Sequence, residues 1–437
     1  MITNPPAHKR LGLWMLTALV TGNMIGSGIF LLPASLAGFG SISILAWCFT
    51  AVGALLIGLV FAKLSTIIPR IGGPYAYCRE AFGDFVGFQM AYNYWIALWV
   101  GNAAIAVAFA GYLGVFWPAL STNHHYAFFV SAGAVWLMTL INVLGIHRAG
   151  MLQLVTTVLK LLPLLLVATL GLLFVQPHNL ENFNITGHSN FSALTGAATL
   201  TLWAFIGLES ATVPADSVKD PHKNIARATI LGILIAAVVY ILSTIAVMGI
   251  IPTAQLAHST APYADAARII FGPMGGMLIA VGAIVSCFGA LNGWTLLQGQ
   301  IPMAAARDGL FPQPFAKESR FGTPAFGLIF TSVLITFLLF LTLGQGLVKQ
   351  FTFIILLATL SSLIPYFFTT MAELVIFVRD RERFNGKRLL GSSIIAILAG
   401  IYAFWTIIGS GEQTVFYGCL LFFSSVPVFA WMKYNSK

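Results

Sequence analysis

The chain has 437 residues, of which 58% are hydrophobic and 8% charged, with a mean hydropathy of +0.90. Soluble chains carry roughly 25% charged residues, so this composition excludes a soluble globular protein and implies an all-α polytopic membrane protein. A membrane β-barrel is excluded as well, because its strands alternate over about 10 residues while the apolar runs here are unbroken and much longer.

A bilayer-crossing helix needs about 20 apolar residues. Twelve such spans are expected, at about 12–34, 42–65, 84–117, 126–145, 151–175, 193–215, 225–251, 274–304, 325–344, 349–378, 389–409 and 414–432. With the N-terminus in the cytoplasm, 19 of the 22 Lys and Arg residues fall on cytoplasmic connections, adjoining span ends or termini. That is the positive-inside pattern, and it puts both termini in the cytoplasm. The net charge of +9 is thereby explained as topology, and nucleic acid is excluded as a partner. The first apolar run is longer than the 7–15-residue core of a cleavable signal. Cys48, Cys78, Cys287 and Cys419 make no disulfide or metal set by spacing, so neither metal nor cofactor is expected.

In the first span, Gly22-Asn23-Met24-Ile25-Gly26-Ser27-Gly28-Ile29-Phe30 makes poor helix, since each interior Gly costs about 1 kcal/mol relative to Ala. Unwound backbone is tolerated in hydrocarbon only where protein buries it or where it lines a cavity. Free N–H groups after such a break suit a carboxylate, and the carbonyls before it suit an ammonium. Close helix packing through small residues is the plain alternative. In the third span Tyr94, Ala97 or Leu98, and Asn102 recur at helical spacing along one face. Lys160 falls near the middle of the fifth span, either snorkelling to the interface or reaching the carbonyls of other helices as a fixed cation.

The sixth span repeats the pattern of the first: Trp203-Ala204-Phe205-Ile206-Gly207-Leu208-Glu209-Ser210 interrupts an apolar helix and carries a carboxylate. Spans one and six are five apart, which predicts two five-helix halves of inverted topology, about 12–175 and 193–378, with two further helices at 389–432. Interrupted helices in matching positions point to a midplane transport site. Glu209, at a helix centre where a carboxylate costs about 2.5–3.5 kcal/mol, is a candidate for substrate contact, proton carriage or gating. Glu373, close to Arg379, is expected to be an interfacial charge. Trp294 in the eighth span and Tyr366 in the tenth fall at comparable depth.

These residues resemble the amino acid–polyamine–organocation superfamily, and within it the basic amino acid/polyamine antiporters, most of all those exchanging arginine and agmatine. The resemblance covers essentially the whole chain. Besides the two interrupted stretches it is carried by Gly72-Gly73-Pro74-Tyr75-Ala76-Tyr77, Gly293-Trp294-Thr295-Leu296-Leu297 and Asp308-Gly309-Leu310-Phe311-Pro312. It implies a LeuT-like 5+5 inverted repeat with discontinuous helices 1 and 6. By the same resemblance, Ser27 and Gly28 hold a substrate α-carboxylate, and the carbonyls of Ile25, Trp203 and Ile206 hold its α-amino group. Asn102 is a polar contact, Ala97 and Ala358 occupy pocket positions, and Trp294 is the shelf for a cationic side chain. Trp203 closes the site from outside, while Tyr94, Glu209 and Tyr366 block the inner exit. Tyr75 matches a position linked to pH response. Leu98, Ile105 and Ala358 stand where the family pattern has Cys, Met and Ser, and Lys160 also departs from it, resembling instead the coupling Lys of amino acid permeases.

The expected function is therefore exchange of an amino acid, arginine-like and cationic, for a related amino acid or amine across a bacterial inner membrane. The alternative is a proton-coupled permease for neutral or cationic amino acids, with Lys160, Glu209 and Tyr75 as coupling or pH-responsive groups. The expected partners are the small-molecule substrates and the lipid bilayer; a homodimer stays open. A channel lacks its filter motif, a sensor lacks room for a signalling domain, and an enzyme lacks any nucleophile–base pair.

Overall fold

Hydrocarbon offers main-chain N–H and C=O groups no water, so they must be met within the chain. The computed structural model describes residues 12–68, 72–145, 164–212, 218–379 and 386–435, and these are helical almost throughout. In chain order the principal helices are α1 Leu13–Met24, α2 Ser27–Ala37, α3 Ile42–Ile67, α4 Pro74–Phe82, α5 Asp84–Leu113 and α6 His124–Val143. They continue with α7 Leu164–Phe174, α8 Asn190–Leu202, α9 Pro221–Ile250, α10 Pro262–Arg307 and α11 Ala325–Leu341. The chain ends with α12 Leu347–Arg379, α13 Gly386–Ile408, α14 Glu412–Phe423 and α15 Ser425–Asn435.

Among the described residues, nine helices are long and apolar enough to cross a membrane, and ten if the bent pair α1–α2 is one span. The shorter apolar helices α7 and α11 come on top of these. Large apolar side chains such as Phe337, Phe340, Phe404 and Ile408 are exposed on the outside of the bundle. A surface of this kind is stable only against lipid tails. The chain is a multi-pass membrane protein.

α5 is the most deeply buried of the long helices and is clasped between α10 and α12, while α1 packs on α9 and α9 on α3. α10 begins at Pro262 rather than near 274, because an earlier helix carrying Asp265 and Arg268 runs into the spanning one across Gly272 (φ 72°) and Pro273. Lys160 lies outside the described residues.

Glu373 departs from the expected interfacial charge. It is buried on α12, with Lys63 Nζ of α3 3.6 Å from Oε1. Lys63 also donates to Ser392 Oγ of α13 and lies 3.9 Å above the Phe377 ring. Burial between three helices leaves the carboxyl one strong partner, so the long Lys stem reaches in to it. Removing one member of such a pair strands the other. Lys63→Met is therefore expected to lower the melting temperature of the detergent-solubilised protein more than Glu373→Gln does. The larger loss should stay within about 3 kcal/mol, since Lys63 is partly solvated. Equal shifts in a thermal-unfolding assay would contradict the pairing.

Candidate functional site

The Gly-rich stretch of the first span breaks the helix at Ile25 and Gly26. α1 ends at Met24, Ile25 (ψ 86°) and Gly26 (φ −122°, ψ −145°) leave helical geometry, and α2 restarts at Ser27 with its axis bent by 42°. In the sixth span α8 runs into a 3₁₀ turn at Trp203–Phe205, followed by an extended Ile206 and then Gly207 at φ 106°. That left-handed conformation is open to Gly and strained for residues with a Cβ. A second 3₁₀ turn, Leu208–Ala211, follows.

The two breaks touch. Gly207 packs on the main chain of Asn23, and Asn23 Nδ2 donates to Ser210 Oγ at 2.8 Å. Ser210 Oγ in turn donates to the Gly207 carbonyl at 2.5 Å. The Ala204 carbonyl, within the interrupted stretch, accepts from Tyr240 OH of α9 at 3.0 Å. Two carbonyls of the unwound stretch, those of Ala204 and Gly207, are thus met by side chains.

Between the breaks lies a cavity of about 10 Å³ whose walls include Met24, Gly26, Gly28, Ile105, Trp203, Ile206, Ala290 and Trp294. A space of that size holds roughly one water, so the protein is closed around an almost collapsed site. The indoles of Trp203 and Trp294 fill the room, their centroids 5.5 Å apart and their planes inclined at 52°. Two glycines admit them: a Cβ on Gly28 would come within 2.8 Å of the Trp203 ring, and one on Gly101 within 2.7 Å of Trp294 and 2.8 Å of Trp203. Trp203 Nε1 is buried without a hydrogen-bond partner among the described residues.

Toward the end of the bundle that carries α4, about 10 Å back along α5 at 1.5 Å per residue, lies a second layer. Tyr94 OH of α5 donates to Glu209 Oε1 at 2.5 Å, and Tyr366 OH of α12 donates to Oε2 at 2.7 Å. The Gly207 N–H completes the set, donating to Oε2 at 3.2 Å. The carboxyl is almost fully buried and met on both oxygens. Beyond this layer, Tyr75 OH donates to Asp308 Oδ2 at 3.2 Å, Arg79 Nη1 stands 3.8 Å from the same oxygen, and Arg79 Nε donates to Asp84 Oδ1 at 2.9 Å. Burial first, and then the Asp308 charge, push the Tyr75 phenol well above its ordinary pKa, so it remains a donor at physiological pH.

Of the residues expected at the site, Gly28, Trp203, Ile206 and Trp294 meet at the cavity, and Ile25 forms the break beside it. Tyr94, Glu209 and Tyr366 form one hydrogen-bonded group. Ser27 opens α2. Asn102, next to Gly101, is buried against Gln298 instead of lining the cavity, and Ala97 and Ala358 are buried on α5 and α12 away from its walls. Ile105, singled out as a departure from the family pattern, lines the cavity, and so does Ala290, which was not expected there, since an apolar residue in an apolar span carries no signal. The Asn23–Ser210 bond was equally unannounced, although both residues lie within the interrupted stretches.

Residues 11–430 match a family model described as amino acid permease. The chain belongs to that family. It is part of the amino acid–polyamine–organocation superfamily. Over 97% of each chain, this permease is 36% identical to a Bacillus subtilis protein provisionally named an arginine/ornithine antiporter. It is 32% identical to the Escherichia coli putrescine transporter PotE, over 95% of this permease and 94% of that protein. With the Escherichia coli cadaverine/lysine antiporter the identity is 34%, over 92% of this permease and 90% of the relative.

A hydrogen bond to a charged group is worth about 1.5–3 kcal/mol. Tyr94→Phe and Tyr366→Phe are each expected to destabilise the permease by that order. The double variant should fall short of the sum, because both bonds end on one carboxyl. Additive shifts in thermal unfolding would mean that the two phenols do not share Glu209.

Proposed function

We propose that this permease is a secondary antiporter exchanging a cationic amino acid for a related amino acid or amine by alternating access. The observation that carries the reading is the meeting of two helix breaks beneath paired indoles. The breaks offer main-chain groups of both polarities, and the indoles offer π faces. Relatives named for arginine/ornithine, putrescine and cadaverine/lysine transport, each matched along nearly its whole length, support it. The fold is taken as twelve spans in a LeuT-like arrangement, with inverted halves at about 12–175 and 193–378 and two further helices at 389–432. The placing of Lys and Arg argues for cytoplasmic termini and a bacterial inner membrane.

In this reading the N–H groups of Ser27 and Gly28, at the start of α2, receive the α-carboxylate. The carbonyls of Ile25, Trp203 and Ile206 receive the α-ammonium. The cationic end lies on the Trp294 face, a contact worth up to about 2 kcal/mol when desolvated. The cavity is too small for any amino acid, so binding requires Trp203 to swing away; Gly28 and Gly101 give that ring room to pack when it closes. The Tyr94–Glu209–Tyr366 group is the inner gate, which opens only when α5, α12 and the second break part. Tyr75, held to Asp308 beyond that gate, keeps the place in pH response that the resemblance implies, without its own phenol titrating, and Lys160 is assigned to coupling. An exported product bearing one more positive charge than the imported substrate would draw about 2.3 kcal/mol per 100 mV from the membrane potential.

Counterflow in proteoliposomes tests the exchange: labelled arginine, ornithine or lysine should accumulate only against an internal load of such compounds. Strong uptake into empty vesicles would point instead to the proton-coupled permease. Trp294→Ala is expected to weaken cationic ligands at least tenfold, about 1.4 kcal/mol. An unchanged Kd by calorimetry would put the pocket elsewhere.

A further inference from the structure

One turn beyond Trp294 on the same face of α10 stands Gln298, and beside Gly101 on α5 stands Asn102. Both amides are completely buried, and Asn102 Nδ2 donates to Gln298 Oε1 at 2.6 Å. The pairing is incomplete: Asn102 Oδ1 and Gln298 Nε2 have no hydrogen-bond partner among the described residues. Turning both amides end over end exchanges the roles but leaves one acceptor and one donor unmet. Two amides in a membrane interior with unmet groups are poor glue, because each orphan is a standing penalty that an apolar pair of the same volume would avoid.

We infer that Gln298 is a specificity-determining residue, and that with Asn102 it receives the terminal primary ammonium of the substrate side chain. This rests on the proposed exchange of cationic compounds and adds to it the group that is read. A carbonyl oxygen has two lone pairs. With the internal bond kept, Asn102 Oδ1 and the free lone pair of Gln298 Oε1 each accept from one ammonium N–H, and the third N–H is left for a water. The bonds formed are charge-assisted, and no bond of the empty site is broken to form them. A water accompanying the ammonium supplies the acceptor that Gln298 Nε2 lacks. A guanidinium presents its donors as a planar fork and requires coplanar acceptors, whereas an ammonium rotates freely to suit the oxygens present. The Trp294 face, one turn away, guides the cation toward the pair.

The test compares ornithine, norvaline (the same chain without its amine) and citrulline (a neutral ureide) in counterflow and calorimetry on the whole permease. Gln298→Leu is expected to weaken ornithine at least tenfold while norvaline stays within twofold. Gln298→Glu, which keeps the volume and the Oε1 acceptor and puts a second oxygen in place of Nε2, should preserve or raise the ornithine preference. An active Gln298→Leu permease with an unchanged ornithine-to-norvaline ratio overturns the assignment. So does citrulline being the ligand preferred by the wild-type protein and lost in Gln298→Leu, since the pair then reads a ureide. Should Gln298→Leu fail to fold, Gln298→Glu decides, and a fall in ornithine preference overturns it. Failure of the wild type to exchange any cationic compound sinks the proposed function, and this inference with it; an altered ratio in an exchanging protein is the result expected here.

Discussion

A single carboxyl, Glu209, holds the centre of this molecule in its closed form. It stands where hydrocarbon would otherwise charge about 2.5–3.5 kcal/mol for a carboxylate. Two phenols and one main-chain N–H meet it there, and bonds of this kind offset such a cost when each is worth about 1.5–3 kcal/mol. The same three contacts join elements that sequence separates widely: α5 through Tyr94, α12 through Tyr366, and the second helix break through Gly207. The N–H freed at that break is satisfied by the carboxyl, and the carboxyl is kept in place partly by that N–H. Neither is tolerable in the membrane interior alone.

Above this layer the packing obeys a different constraint. Gly28 and Gly101 leave just enough room for two indoles to lean on one another, and the space that remains is about the size of a water. A closed, nearly dry centre suits a carrier, because a continuous aqueous path would let solutes leak down their gradients. Of the two indoles, Trp203 sits on an element already broken, while Trp294 sits on a continuous stretch of α10.

Two buried acids, Glu209 and Glu373, solve the same desolvation problem in different ways. Glu209 is met by neutral donors that a small shift of α5 or α12 would withdraw. Glu373 is met by the Lys63 ammonium, and the Lys stem can follow its partner over several ångströms. The first arrangement suits a gate, the second a tie between α3, α12 and α13.

Hydropathy alone determined that this chain is a bundle of membrane helices, because the cost of exposing main chain to lipid leaves few other solutions. It also marked the two interruptions, since Gly22 to Gly28 and the Gly207 region are poor helix in any setting. Tyr94, Glu209 and Tyr366 were legible as a group only through resemblance; spacing gives no reason for residues 94, 209 and 366 to converge. Gln298 was invisible beforehand, because a lone Gln in an apolar helix has no period and no partner within its own span. The same holds for the Lys63–Glu373 pair, where closeness to Arg379 along the chain suggested an interface and the packing of three helices made a buried contact. Local pattern reports what one segment can do against lipid; which side chains share a space is a property of how the segments cross.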